Sequence, residues 1–149
     1  MKKDLREKSL DFFKKKCREH GLKITPQRIG IYEELANSKL HPSTESVFAL
    51  ARERFPHISR DTVNRTLLTF SKIGLIDVVA ERGGPRRYDP DLTPHHHFHC
   101  ISCDEITDFH GKKYDELAIP DQIKKKCTVF SKRVVITGLC EKCAKSPKA

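Results

Sequence analysis

Two Cys-x-x-Cys pairs, Cys100–Cys103 and Cys140–Cys143, constrain this chain more than any other feature. Together they supply four thiolates, which suits a tetrahedral structural zinc. Immediately before the first pair runs His95-His96-His97-Phe98-His99. Those imidazoles cannot enter a shell that four sulfurs already close, so they are left for a second metal. One closed and one open metal site fit a sensing or a catalytic role.

The remaining composition favours thiolates over disulfides. The N-terminus, Met1-Lys2-Lys3-Asp4-Leu5, is charged and lacks the apolar stretch of an export signal. No apolar run approaches membrane-spanning length. The cytoplasm is the expected location, and a reducing compartment keeps paired cysteines available to metal. Cys17 and Cys127 have no ligand-like neighbour and read as small buried hydrophobes.

Charge is unevenly spread. Residues 1–88 hold 19 Lys+Arg against 11 Asp+Glu, a net of +8, whereas residues 89–149 hold 10 against 9. A basic first part joined to a nearly neutral, metal-rich second part suggests that one grips a polyanion while the other senses or assembles. The expected division is a DNA-binding domain over 1–88 and a metal-binding dimerisation domain over 89–149.

Helical spacing dominates the first part. Leu10, Phe13 and Cys17 share a face of a first helix that His20-Gly21 can end. Thr25 caps a second helix with Pro26 at its first position, and Ile29, Tyr32 and Leu35 mark its buried stripe. Ser43 caps a third, with Val47, Ala51 and Phe55 inward, until Pro56 stops it. Ser59 caps a fourth, in which Val63, Leu67 and Phe70 face inward and Arg60, Asn64 and Arg65 outward. These short helices describe a helix-turn-helix whose final helix can enter the major groove. A strand over Leu75–Ala80, a turn at Glu81–Pro85 and a returning strand Arg86–Tyr88 then form a wing.

The second part reads as a small α+β module. Strands are expected over His95–Ile101, Glu105–Phe109 and Val134–Thr137, and a helix interrupted by Pro120 over Tyr114–Lys126. The tail from Ala144 to Ala149 reads as disordered. Alternation along the first strand sends His95, His97 and His99 one way and His96, Phe98 and Cys100 the other. His95 and His97 therefore start an N/O metal site. Asp89 and Asp108 are placed to add carboxylates, and His41 could close the shell from the DNA-binding part. Three imidazoles with two carboxylates favour iron or manganese, with zinc as competitor. His20 and His57 read as surface residues.

Taken together, these motifs resemble the ferric uptake regulator family of bacterial metal-dependent repressors. The matching stretches are Leu22-Lys23-Ile24-Thr25-Pro26-Gln27-Arg28, His41-Pro42, Thr62-Val63-x-Arg65-Thr66-Leu67, Arg87-Tyr88-Asp89, His95-x-His97-x-x-Cys100-x-x-Cys103, Asp108-Phe109-His110 and Gly138-x-Cys140-x-x-Cys143. The resemblance implies a homodimer with a winged helix and a dimerisation module, closed onto a double-stranded operator when the regulatory metal binds. It implies structural zinc on Cys100, Cys103, Cys140 and Cys143, and regulatory iron or manganese on His41, Asp89, His95, His97 and Asp108. Arg60, Asn64, Arg65, Arg28 and Lys23 are the candidates for DNA contact. Aspartate at positions 89 and 108 resembles the peroxide-sensing branch, in which iron-catalysed oxidation of histidine ligands, here His41 and His95, releases DNA. The chain departs from the family in having Asn64 for a tyrosine and Asp104 for a glycine. The further metal site of iron-uptake members would fall near Pro94, His96, Asp115 and Lys132, where proline and lysine do not suit it.

The competing readings are an iron- or zinc-uptake regulator without peroxide reactivity, a metalloenzyme using the His/Asp site, and a thiol oxidoreductase. The enzyme reading leaves the basic part idle. The oxidoreductase reading expects a Cys-x-x-Cys that opens a helix after a strand, and neither pair reads that way.

Overall fold

The computed structural model describes residues 2–79 and 84–146. The chain divides after Leu92 into two compact units. Asp89 therefore stays with the first unit instead of opening the second, because it pairs along a strand with Asp77.

The first unit begins with α1 (Lys2–Glu19), α2 (Pro26–Asn37), α3 (Thr44–Arg54) and α4 (Arg60–Lys72). Local chemistry sets these bounds. Thr25, Ser43 and Ser59 each accept, through the side-chain oxygen, a backbone N–H three residues on, satisfying a donor the helix leaves open. After α1 and α4 the chain turns on Gly21 (φ +62°) and Gly74 (φ +72°), a region that costs glycine little. Gly30 of α2 meets a different demand, since a Cβ there would lie 2.5 Å from the Phe55 ring.

The core of this unit gathers Phe13, Cys17, Ile31, Tyr32, Leu35, Val47, Val63, Leu67, Phe70 and Tyr88. Phe13 stacks on Tyr32 with ring centroids 4.9 Å apart, and Phe70 meets Phe13 edge-on at 5.7 Å. Cys17 is fully buried as expected, and burial pushes its thiol pKa up despite the opposing pull of Arg28.

The hairpin is shorter than its sequence suggests: β1 is Asp77–Val79 and β2 is Arg87–Asp89. Leu75 and Ile76 precede β1 as core residues, because both are needed to seal the end of α4. The strands are antiparallel, with Asp77 opposite Asp89, Val78 opposite Tyr88 and Val79 opposite Arg87. Ala80 and the turn residues Glu81, Arg82 and Gly83 lie outside the described residues, as do Pro147–Ala149 of the tail.

The second unit is a three-stranded sheet of order β4-β3-β5, formed by β3 (His96–Cys100), β4 (Ile106–Phe109) and β5 (Val135–Gly138). β3 pairs antiparallel with β4 and parallel with β5. The parallel pairing requires a crossover. It contains only two single-turn helices, α5 (Lys112–Asp115) and α6 (Asp121–Lys124), where one interrupted helix is expected. No residue of either is buried; α5 touches the sheet through the Tyr114 ring on Phe109 and His96, a contact one turn long, and isolated turns of this length do not extend without more packing. Cys127 is exposed, contrary to expectation, in the extended segment that follows. The tail starts in order, with α7 (Glu141–Lys145) opening at Cys140. The second Cys-x-x-Cys thus does open a short helix after a strand.

Phe70 joins two aromatic partners at the centre of the first unit, so Phe70→Ala is expected to lower stability by about 3–5 kcal/mol. A shift of the denaturant midpoint with an unchanged slope is the measurement that checks it.

Candidate metal centres

The sulfurs of Cys100, Cys103, Cys140 and Cys143 all lie within 4.8 Å of one another. Cys100 ends β3, Cys103 closes the turn after it, and β5 delivers Cys140 and Cys143 beside them. Zn–S bonds of about 2.3 Å in a tetrahedron place sulfurs about 3.8 Å apart, and the Cys103–Cys140 separation is 3.8 Å. The backbone N–H of Cys103 and that of Cys140 (3.3 Å to the sulfur) favour the Cys100 thiolate and lower its pKa to about 6. The N–H of Glu105 assists Cys103 likewise, but Cys100, burial and the other two sulfurs outweigh it and push that thiol up to about 12. Four sulfurs this close resist ionising together, and a divalent cation removes the conflict. The set suits structural zinc.

Asp104 follows this cluster in the left-handed region, at φ +63°. A glycine adopts that conformation freely, whereas aspartate needs a local partner. His99 provides one, its Nε2 lying 2.5 Å from Asp104 Oδ1. The pair closes the turn between β3 and β4 and gives Asp104 a physical reason to stand there.

Elsewhere in the second unit, Asp108 Oδ1 lies 3.5 Å from His97 Nε2 and 3.9 Å from His95 Nε2. These gaps are long for hydrogen bonds and resemble the roughly 3.4 Å between donors sharing a tetrahedral metal at about 2.1 Å. His95 Nδ1 lies 2.7 Å from the Thr93 carbonyl oxygen and 3.0 Å from Arg133 Nη1, so these two neighbours hold that side of the ring and Nε2 is the nitrogen turned to Asp108. Arg133 donates to the carbonyls of His95 (3.2 Å) and Thr93 (3.4 Å) and fixes the approach to β3.

In the first unit, His41 Nε2 stands 3.6 Å from Asp89 Oδ2, and both residues are buried. The other oxygen of Asp89 accepts the N–H of Asp91 at 2.9 Å, which holds the carboxylate still. His41 has φ +48°, an uncommon conformation outside glycine. Arg87 keeps it there by donating to the carbonyls of His41 and, at 2.9 Å, Leu40, while Tyr88 donates its N–H to Pro42. Sequence alone did not single out Arg87 for this task; its place opposite Ser43 in a lone β-bridge is the relevant signal. Imidazole with carboxylate suits iron or manganese.

Comparison with known proteins is decisive here. The model of the ferric uptake regulator family matches residues 19–137. This chain belongs to the ferric uptake regulator family. Its relatives include the peroxide operon regulator of Bacillus subtilis, 34% identical over 131 residues covering 86% of this chain and 88% of that one. The peroxide-responsive repressor PerR of Staphylococcus epidermidis is 32% identical, covering 85% and 84%. Among solved structures, the Campylobacter jejuni peroxide stress regulator is 28% identical with TM-score 0.65, covering 85% and 95%. The Helicobacter pylori ferric uptake regulator shares the fold at TM-score 0.76 and 24% identity, covering 96% of both chains.

As a ferric uptake regulator family member, the chain uses His96 in its own way. His96 Nδ1 accepts the N–H of Val134 at 3.1 Å and its Nε2 lies 2.8 Å from Asp115 Oδ1. Both ring nitrogens are thus engaged. Lys132 donates its ammonium to the carbonyls of Asp115 and Leu117, so a fixed cation stands beside the pair. His96 clasps α5 to the sheet.

The arginines suggested for DNA contact hold acidic or carbonyl partners. Arg60 pairs with Glu45, Arg65 Nη2 lies 2.6 Å from Asp61, and Arg28 donates to the Lys23 carbonyl at 2.5 Å. The two ion pairs are exposed and of small energy, so exchange of a carboxylate for a phosphate costs little.

The left-handed backbone at position 104 separates the possible substitutions. Asp104→Gly should retain zinc through dialysis against a chelator, whereas Asp104→Val, β-branched and left-handed, should lose it several-fold faster. Equal retention in the two variants, measured by metal analysis, would contradict this account of the turn.

Proposed function

We propose that this protein is a metal-dependent DNA-binding repressor that senses hydrogen peroxide through oxidation of its own histidine ligands. The observation that carries the reading is the pairing of buried imidazoles with aspartates in both units: His41 with Asp89, and His95 and His97 with Asp108. In our reading the two sets close on one iron or manganese ion, so that metal joins a DNA-binding first unit (1–92) to a dimerisation second unit (93–149). Relatives at 32–34% identity that are peroxide-responsive regulators support peroxide as the signal. Structural zinc sits on the four cysteines.

Bound ferrous iron would supply the electrons that split the O–O bond of peroxide beside the imidazole rings. Peroxide would be the two-electron oxidant overall: one of its oxygens would replace a ring C–H hydrogen of His41 or His95, the other would leave as water, and the oxidised ring would no longer offer the same lone pair. Because His41 belongs to the first unit, its loss frees the DNA-binding domain from the metal. The protein acts as a regulator in the cytoplasm, not an enzyme, since its own ligands are consumed.

DNA contact falls to Arg60, Asn64 and Arg65 on the outer face of α4, with Lys23 and Arg28 before and within α2. Asn64 can read adenine through its amide, which suits an operator differing from those read by a tyrosine.

A second copy of the chain is the partner for the second unit. That unit leaves Ile101, Leu117, Val135, Ile136, Leu139 and Phe130 exposed, the last at 95%. Apolar surface of this extent is normally covered by association.

Peptide mass spectrometry after mild peroxide tests the sensing. Iron-loaded protein should gain one oxygen on His41 or His95 and lose affinity for its operator, while manganese-loaded protein should do neither. Equal damage with both metals, or oxidation confined to Cys127, would place the protein among metal-uptake regulators.

Association has its own check. Ile136→Asp should shift the protein from dimer to monomer in sedimentation at micromolar concentration, with zinc retained. A stable dimer in that variant would remove β5 from the interface.

A further inference from the structure

The C-terminal half of α4 and the base of the hairpin border an open groove of about 580 Å³. Arg65, Leu68, Thr69 and Lys72 line one side, spaced i, i+3, i+4 and i+7 along a single face of the helix. Val78 of β1 and Arg86, just before β2, line the other. Three cations, of which Arg65 is also paired with Asp61 at 2.6 Å, therefore border the apolar side chains of Leu68 and Val78, and no carboxylate is among the lining side chains. Thr69 turns its hydroxyl back to the Arg65 carbonyl at 2.9 Å, presenting its methyl group as further apolar wall.

A groove open to solvent is poorly suited to enclosing a small anion, since ligand pockets bury most of their occupant. It is well suited to a polymer that alternates apolar and anionic groups. A sugar–phosphate strand is such a polymer. The position agrees: when the start of a recognition helix lies in the major groove, its far half and the adjoining hairpin border the groove wall. The cationic surplus of residues 1–88 supports a polyanion as occupant.

We propose that this groove seats one sugar–phosphate strand of duplex DNA, with Lys72 and Arg86 on phosphates and Leu68 and Val78 against deoxyribose. The inference rests on the repressor reading and extends it, since neither Lys72 nor Arg86 belongs to the base-facing set at the start of α4. Phosphate contacts carry no sequence information, so their loss acts alike on every duplex.

The test uses manganese-loaded full-length dimer and a fluorescent duplex of random sequence, with affinity measured by anisotropy from low to moderate salt. Wild-type binding with a steep salt dependence reports on the repressor reading; its absence would remove that reading and the groove with it. Lys72→Ala and Arg86→Ala should each lessen the log–log salt slope by about 0.9. Each should weaken binding roughly 8-fold at 0.1 M salt, equally on an operator fragment and on random duplex. Lys72→Arg should restore the slope, and Lys39→Ala, on the loop after α2, should leave it unchanged. Thermal melting of each variant separates lost contact from lost fold. Unaltered slopes in folded Lys72→Ala and Arg86→Ala, or the same loss in Lys39→Ala, would overturn the proposal while leaving DNA binding intact.

Discussion

Convergence of four sulfurs at the end of β3 is the constraint on which the second unit depends. Most of that unit's buried side chains are polar: His95, His96, His97 and His99, with Cys100 and Ile106 as its buried apolar members among the described residues. Area burial therefore contributes little, and the parallel pairing of β3 with β5 brings together strands far apart in sequence. A zinc on these four sulfurs would do what a hydrophobic core does in the first unit, by making the folded arrangement the one in which the ligands are satisfied. The crossover buries none of its helical residues and consists of exposed single turns, the first held to the sheet by His96 and Phe109.

The histidines of β3 illustrate how one short strand serves several purposes. His96 clasps α5, His99 steadies the turn at Asp104, and His95 and His97 turn their Nε2 atoms toward Asp108. Alternation explains the division between faces, but the partners decide the role of each ring. A neighbouring backbone group or carboxylate occupies both nitrogens of His96, whereas the carbonyl of Thr93 occupies only Nδ1 of His95.

Much of this was legible from sequence where the signal is local. Thr25-Pro26, Ser43 and Ser59 mark helix starts because capping is decided within three residues. The cysteine quartet was legible because spacing and thiolate chemistry agree. Leu75 and Ile76 misled, since a β-branched apolar run reads as strand although tertiary packing draws these two into the helical core. The crossover helices and the exposure of Cys127 were illegible for the opposite reason: helical spacing there found no core in which to bury a face. Arg87 and the left-handed backbone of His41 lay beyond reach, because hydrogen bonds between segments 46 residues apart leave no local pattern.

The register of the hairpin sets Asp77 directly opposite Asp89. Two like charges facing each other across a ladder repel, which loosens the strands that bear them. Any cation drawn to Asp89 offsets that repulsion at its source. Strand pairing at the base of the hairpin and cation binding at Asp89 therefore favour one another through the same two carboxylates.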